Sequence, residues 1–308
     1  MKYDVKNRLI WLNGNIINVN DAKINVLTPT SQFGLNVFEG IPCFWNEDKK
    51  QLYAFRLDDH FNRLIKSASL LEIESPYSKE ELLKAFKDVI KANEYKTNLS
   101  VRQTLFVDGF GSWGSSNPVG MFVSPIPKEN TSGEYNKSGL NCCVSSYRRI
   151  MENVMSPRIK CGANYINSRV GQREALRNGY DTCIFLNNQG KVSEGPGSCL
   201  FIVKNGKLIT PLLTDSVLES ITRDSILQLA KFLNIPYEER SIDRSELYCC
   251  DEAFLCGSAM GITPIVSIDN YPVSNSINGA ITKRIKAEYN SICIGENKEF
   301  KHWIVEIY

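Results

Sequence analysis

Residues 183–209 read CIFLNNQGKVSEGPGSCLFIVKNGKLI, three short apolar runs separated by Gln189-Gly190, the Gly195-Pro196-Gly197 turn and Asn205-Gly206. Asn-Gly and Gln-Gly pairs supply the positive φ that tight primed turns require, so 189–190 and 205–206 each predict an antiparallel hairpin. The same signal recurs at Asn13-Gly14 inside IWLNGNIINV. Much of the sheet is therefore expected to be antiparallel.

Helices are predicted between these strands. Asp58 precedes Phe61, Leu64, Ile65 and Ala68 at helical spacing, and Ser78 with Glu81 forms a capping box before Leu82, Leu83, Phe86, Val89 and Ile90. Further helices are expected at about 163–178, ended by Gly179, at 223–234 and at 276–290. The polar, Pro- and Gly-containing stretch 126–139 separates two apolar strands, as an interdomain linker would. The expected architecture is α+β, with a smaller N-terminal α/β domain at 1–132 and a larger C-terminal domain at 133–308.

Composition narrows the chemistry. The 308 residues carry 36 basic and 34 acidic groups scattered along the chain, a net charge of +2, which gives no sustained basic face for nucleic acid. No apolar run approaches the roughly 20 residues of a membrane helix and the start lacks a secretory signal, so a cytoplasmic protein is expected. Of the ten cysteines the obvious pairs, Cys142-Cys143 and Cys249-Cys250, are adjacent rather than in C-x-x-C spacing, which reads as free, mostly buried thiols. With only His60 and His302 available, a Ser-His or Cys-His nucleophile pair or a zinc cluster has no support, and no metal is expected. Catalysis must lean on Lys, Tyr, carboxylates or a cofactor.

Five segments stand out. Lys160 lies between Ile159 and the small residues Cys161, Gly162 and Ala163, a setting that desolvates an ammonium and favours the free amine that attacks an aldehyde. Tyr165 follows at a helix start, where most tyrosines simply pack but the hydroxyl can reach a polar cofactor atom. Glu194 enters the Gly-Pro-Gly turn; alone it is a turn former, or else a buried carboxylate paired with a protonated ring nitrogen. Ser220, Ile221 and Thr222 open a helix whose N–H groups favour an anion, Ser258 and Ala259 follow a glycine at a strand end, and Arg56 offers a guanidinium fork.

Taken in order, WLNGNIINVNDAKINVLTPTSQFGLNVFEGI, AFRLDDHFNRL, VRQTLFVDG, KCGANYINS, SEGPGSCLF, LESITRDSI and CGSAMGITPI, followed by TKRIKAEY, closely resemble the class IV (fold type IV) pyridoxal-phosphate aminotransferases, and within them the branched-chain amino acid aminotransferases. The resemblance runs from residue 11 to 289. It implies the two-domain fold of that family, shared with D-amino acid aminotransferases, a pyridoxal 5'-phosphate (PLP) cofactor, amino acid and keto acid substrates, and a homodimer.

Residue by residue, the resemblance places Lys160 at the cofactor-bearing lysine, Tyr165 at the tyrosine bonding the cofactor's phenolic oxygen, and Glu194 at the carboxylate facing the pyridine nitrogen. Arg56, Ile221, Thr222 and Ser258 match phosphate-binding positions. Phe33 and Phe38 match the side-chain pocket, Arg102 the arginine for a distal carboxylate, and Ala259 a backbone N–H toward the substrate carboxylate.

Departures fall on the substrate side. Pro42 replaces the arginine of Phe-Glu-Gly-Ile-Arg, Ser100 the tyrosine of Tyr-x-Arg, and Ser198 and Cys199 the glutamate and asparagine after the Glu-Gly-x-Gly turn, while Ser220 stands where glycine is common. The expected reaction is transfer of an amino group from a branched-chain or related apolar L-amino acid to a keto acid such as 2-oxoglutarate. Donors such as D-amino acids, amines or a biosynthetic intermediate, a lyase on the same scaffold, and a PLP-binding protein without turnover remain open alternatives.

Overall fold

The computed structural model describes residues 7–128, 138–275 and 279–308. Its strands are β1 (Leu9–Leu12), β2 (Asn15–Asn18), β3 (Asn36–Asn46), β4 (Gln51–Phe55), β5 (Leu99–Val107), β6 (Val119–Pro127), β7 (Leu140–Arg148), β8 (Thr182–Leu186), β9 (Cys199–Lys204), β10 (Lys207–Thr210), β11 (Tyr237–Glu239), β12 (Glu252–Gly257), β13 (Gly261–Ile268), β14 (Tyr271–Pro272) and β15 (Ile304–Glu306). The α-helices are α1 (Pro29–Phe33), α2 (Leu57–Leu70), α3 (Lys79–Asn93), α4 (Tyr165–Arg177), α5 (Ile221–Phe232) and α6 (Ala280–Cys293).

Contacts divide the chain into two units, one of residues 1–129, 159–163 and 291–308 and one of 130–158 and 164–290. The expected single cut near residue 133 falls outside the described residues. It would also have put Lys160 in the second domain, whereas the strap Ile159–Ala163 clusters with the first unit. The physical reason is backbone pairing: Phe38 N donates to Lys160 O at 3.0 Å, and Val37 bridges to Cys161.

In the first unit the sheet runs β15-β4-β3-β5-β6-β1-β2, every ladder antiparallel. The pleat sends alternate residues to opposite faces. Val37, Ile41 and Cys43 of β3 with Leu99, Val101 and Leu105 of β5 join the core under α2 and α3. α3 begins at the expected capping box, Ser78 accepting from Glu81 N and Glu81 from Ser78 N, and its Leu82, Phe86, Val89 and Ile90 are buried. The opposite face of β3 and β5 is left with Phe38, Gly40, Ser100 and Arg102 in register.

In the second unit the order is β11-β10-β9-β12-β13-β7-β8, with β14 on β13. The pairs β10–β11, β13–β7 and β7–β8 are parallel and the central ones antiparallel. The Asn205-Gly206 hairpin joins β9 to β10, and Asn13-Gly14 joins β1 to β2. The Gln189-Gly190 turn closes with Asn187 N donating to Lys191 O at 2.7 Å, and its return arm pairs back on β8 through Ser193 N to Phe185 O and Phe185 N to Glu194 O, both 2.9 Å, but forms isolated bridges instead of a strand.

The helix expected at 223–234 starts earlier, at Ile221, because Ser220 is the N-cap and accepts from Arg223 N at 3.2 Å. The last helix is described over Ala280–Cys293. Its expected start lies among residues 276–278, outside the described ones. None of the ten cysteines forms a disulfide, and nine are buried. Among the described residues no helix is long and apolar enough to cross a membrane, and no group of three His, Cys, Asp or Glu could hold a metal.

Candidate active site

In the first unit Lys160 sits on the strap beside the edge of β3. Ile159 and Cys161 turn into the core, so by alternation Lys160 projects from the other face, where Phe38 lies. Its Nζ lies 4.9 Å from the centre of the Phe38 ring, and Arg102 Cζ stands 4.1 Å from the same ring. Phe38 is 7% exposed, so two cations share one buried aromatic partner. Lys160 N donates to Ser67 Oγ at 3.2 Å, tying the strap to α2. Gly162 is required by proximity, since a Cβ there would meet Asn36 Oδ1 at 2.8 Å.

Arg56 is the N-cap of α2 and holds a left-handed φ of 47°. Its Nε bonds Asp59 at 2.7 Å and its guanidinium lies 5.2 Å from the Trp303 ring centre. Phe33 ends α1 and is 45% exposed; the next residue, Gly34, has its Cβ direction 3.7 Å from Ala163.

On the opposite side of β3 lies a cluster that sequence reading missed. Glu39, fully buried, accepts from Arg63 Nε at 2.6 Å and Nη2 at 2.8 Å and contacts His60 Nδ1 at 2.6 Å. Burial opposes the Glu39 charge, but Arg63 and His60 outweigh it and hold the carboxyl far below the usual range. Burial lowers the His60 pKa against the pull of Glu39, so the ring is neutral, with Nδ1–H donating to the carboxylate. Only the spacing of Arg56, His60 and Arg63 along α2 could have signalled that one helix face carries these polar groups.

In the second unit Glu194 is 3% exposed. Its Oε1 accepts from Arg149 Nε at 2.9 Å and Nη2 at 2.8 Å, while Oε2 faces Leu218 N at 3.3 Å and Cys199 Sγ at 3.7 Å. Burial pushes the Glu194 carboxyl up, and Arg149 pulls it back. Arg149, also missed, ends an apolar strand as one of two adjacent arginines, a weak signal. Its Nη1 bonds Asn167 Oδ1 at 3.1 Å and Ser168 Oγ at 3.2 Å, which links Glu194 to the first turns of α4, where Tyr165 is the first residue.

The Gly195–Ser198 turn sits close to two neighbours. A Cβ on Gly197 would lie 3.9 Å from Tyr165 Cε1, and one on Gly257, at the end of β12, 3.2 Å from Gly197 O. Ser258 and Ala259 follow Gly257, with Ala259 exposed. Ile221 and Thr222 open α5 three and four residues past Leu218, presenting N–H groups at the positive end of the dipole. Thus Lys160, Phe38 and Arg102 meet in one unit, and in the other Glu194 enters a turn that Tyr165 and Gly257, the residue before Ser258, approach, while Leu218, three residues before α5, donates to its carboxylate.

Against known proteins, the family model described as amino-transferase class IV matches residues 36–268. The probable branched-chain-amino-acid aminotransferase of Aquifex aeolicus is 36% identical over 305 residues, 97% of this chain and 96% of that protein. The crystal structure of a branched-chain aminotransferase from Thermoproteus uzoniensis with norvaline superposes with a TM-score of 0.92 at 38% identity, covering 98% of this chain and 99% of that one. The PLP form of the branched-chain amino acid aminotransferase from Thermobaculum terrenum gives 0.92 at 36% identity, covering 99% and 100%.

Proposed function

Because the chain belongs to the class IV aminotransferases, which work with pyridoxal phosphate, we propose that it transfers the amino group of branched-chain or related apolar L-amino acids to a keto acid such as 2-oxoglutarate. The observation that carries this reading is the pairing of Lys160 and Arg102 on the Phe38 ring, an amine and a carboxylate receptor against one apolar surface. The norvaline-bound relative supports an unbranched apolar side chain in the same class of pocket.

The residues fit the cofactor. Glu194 is a buried carboxylate whose Oε2 has only long contacts, room for a ring N–H. In the second unit the N–H groups at the start of α5 and the Ser258 hydroxyl would serve a phosphate and Tyr165 would offer a phenol to the cofactor's own phenolic oxygen; Arg56 in the first unit is a guanidinium of the kind a phosphate prefers. When bound, PLP supplies an aldehyde that takes the amino group and a charged ring that accepts electrons from the substrate carbon.

Lys160 Nζ would hold the cofactor, then, once displaced, take the proton from the substrate Cα and deliver one to the cofactor's former aldehyde carbon, on the other side of the transferred nitrogen. Phe38 would hold the amine against its ring face, Nζ lying 4.9 Å from the ring centre. Glu194 would keep the ring nitrogen protonated, with Arg149 fixing the carboxylate's orientation. Arg102 would receive a distal carboxylate in the half-reaction that uses one, and the backbone at Ala259 would bind the α-carboxylate.

We also place the protein in the cytoplasm as a homodimer. Val26, Leu27, Phe110 and Trp113 are 75%, 53%, 76% and 76% exposed, and a Cβ on Gly111 would lie 3.3 Å from Pro29 Cγ, which ties the two loops into one apolar patch suited to a second copy. Light scattering should give twice the chain mass, and Trp113→Glu should shift it toward the monomer.

The decisive experiment adds L-leucine, L-valine, D-alanine and a simple amine separately to the PLP-loaded protein and follows cofactor absorbance. Conversion to the amino form of the cofactor by the branched L-amino acids is expected. Response only to D-alanine or the amine overturns the substrate, and pyruvate release without a keto acid acceptor assigns a lyase.

A further inference from the structure

The two oxygens of Glu194 are unequally served. Oε1 is saturated by two guanidinium N–H groups at 2.9 and 2.8 Å. Oε2 has the Leu218 N–H at a long 3.3 Å and the Cys199 thiol at 3.7 Å. Cys199 in turn has one proton for two acceptors, Glu194 Oε2 at 3.7 Å and Leu218 O at 3.8 Å, while the Ser220 side chain also hydrogen-bonds the sulfur.

We propose that Cys199 is a positioning residue that reserves Glu194 Oε2 for the cofactor's ring N–H: its S–H rests on Oε2 when no ring is bound and swings to Leu218 O when the ring nitrogen claims that oxygen. The inference rests on the reading that Glu194 faces the pyridine nitrogen. Sulfur is the element suited to the task. A thiol is a weak donor that yields easily, whereas a hydroxyl at the same position would make a shorter, charge-assisted bond to the carboxylate and compete with the ring.

The surroundings agree with a thiol that keeps its proton. Cys199 is 2% exposed, and burial together with the Glu194 charge pushes its pKa up to about 12. The swing needs no backbone movement, because both acceptors already lie within sulfur hydrogen-bonding range.

The test is infrared spectroscopy of the S–H stretch. The band that disappears in Cys199→Ala protein belongs to Cys199, and adding PLP to the wild type is expected to move it to higher frequency, as the proton passes from carboxylate to carbonyl. In parallel, PLP dissociation constants are measured for Cys199→Ala, expected within about threefold of wild type, and Cys199→Ser, expected to be about tenfold weaker because the hydroxyl must be displaced. A band unmoved by PLP, or a serine variant that binds PLP as tightly as wild type, overturns the proposal. Glu194→Gln separates the two readings: if it weakens PLP binding while the Cys199 band stays still, Glu194 faces the ring and only the role of the thiol fails. Unchanged PLP affinity and absorbance in Glu194→Gln overturn both.

Discussion

Arg149 holds Glu194 by one oxygen, Nε and Nη2 both reaching Oε1 at 2.9 and 2.8 Å, and both side chains are buried. Removing one partner of such a pair leaves an uncompensated charge, which costs about 3–5 kcal/mol unless the survivor is neutralised. Arg149→Met should therefore lower the unfolding free energy by about 3 kcal/mol near neutral pH. Without its cation Glu194 titrates above its unfolded value, so its folded state binds more protons and the deficit shrinks as the pH falls. Urea unfolding at neutral and mildly acidic pH measures both effects; a deficit that grows in acid would contradict the assignment.

His60 gives the first unit a distinct pH dependence. It faces Glu39 on β3 and Arg63 on its own helix and feels the more distant charge of Lys160, and its pKa is lowered, chiefly by burial. A histidine depressed in the folded state is protonated first in the unfolded chain. Stability is therefore present above about pH 6.5 and is lost as the pH falls below it, by at most about 1.4 kcal/mol per pH unit for one proton. Glu39 adds nothing in that window, because its depressed carboxyl costs stability only as the pH drops below the ordinary carboxylate range. Denaturant unfolding of wild type and His60→Gln between about pH 7 and 5 should show the shallower slope in the variant.

What sequence could reveal follows the range of the interactions. The Asn-Gly turns at 13–14 and 205–206 and the Ser78–Glu81 box are set by neighbours in the chain, and each appears where expected. The roles proposed for Lys160, Glu194 and Tyr165 come from their order along the chain, which matches a family, and not from anything local. Arg149 and the Glu39, His60 and Arg63 cluster were not legible, because they are defined by partners 45, 21 and 24 residues away and nothing local marks a charge that will be buried. The strap was assigned to the wrong side of the single cut for the same reason. Its membership depends on pairing with residues 36–38, more than 120 positions earlier.

Gly171 in α4 should resist alanine although alanine is the better helix former by about 1 kcal/mol. A Cβ there would meet Phe185 Cζ at 2.3 Å and Cys183 Sγ at 3.0 Å, and Phe185 is fully buried. Overpacking of this kind costs about 1–3 kcal/mol, so a net loss of about 1 kcal/mol and a Tm fall of a few degrees are expected for Gly171→Ala. Calorimetry of the Gly171→Ala/Phe185→Leu double variant should show less than the sum of the two single losses, since the shorter side chain vacates the contested space.

Helix α6 is capped from 28 positions earlier in the chain. Glu252 Oε2 accepts from Thr282 N at 2.8 Å and Thr282 Oγ1 at 2.7 Å, and Oε1 from Ile281 N at 3.2 Å. A buried carboxylate thereby meets first-turn N–H groups that have no intrahelical acceptor, at the positive end of the dipole. Gly279 makes room for it, since a Cβ there would stand 2.3 Å from the Glu252 carboxyl carbon. Loss of a helix cap costs about 1–2 kcal/mol, so Glu252→Ala should destabilise by that amount and raise amide hydrogen exchange at Ile281 and Thr282. Gly279→Ala should reproduce the exchange increase with the carboxylate still present, because the methyl displaces it. Glu252→Gln should fall between the two, keeping an acceptor without the charge. If exchange in the first turn of α6 is unchanged in Glu252→Ala, the helix start is held by packing alone.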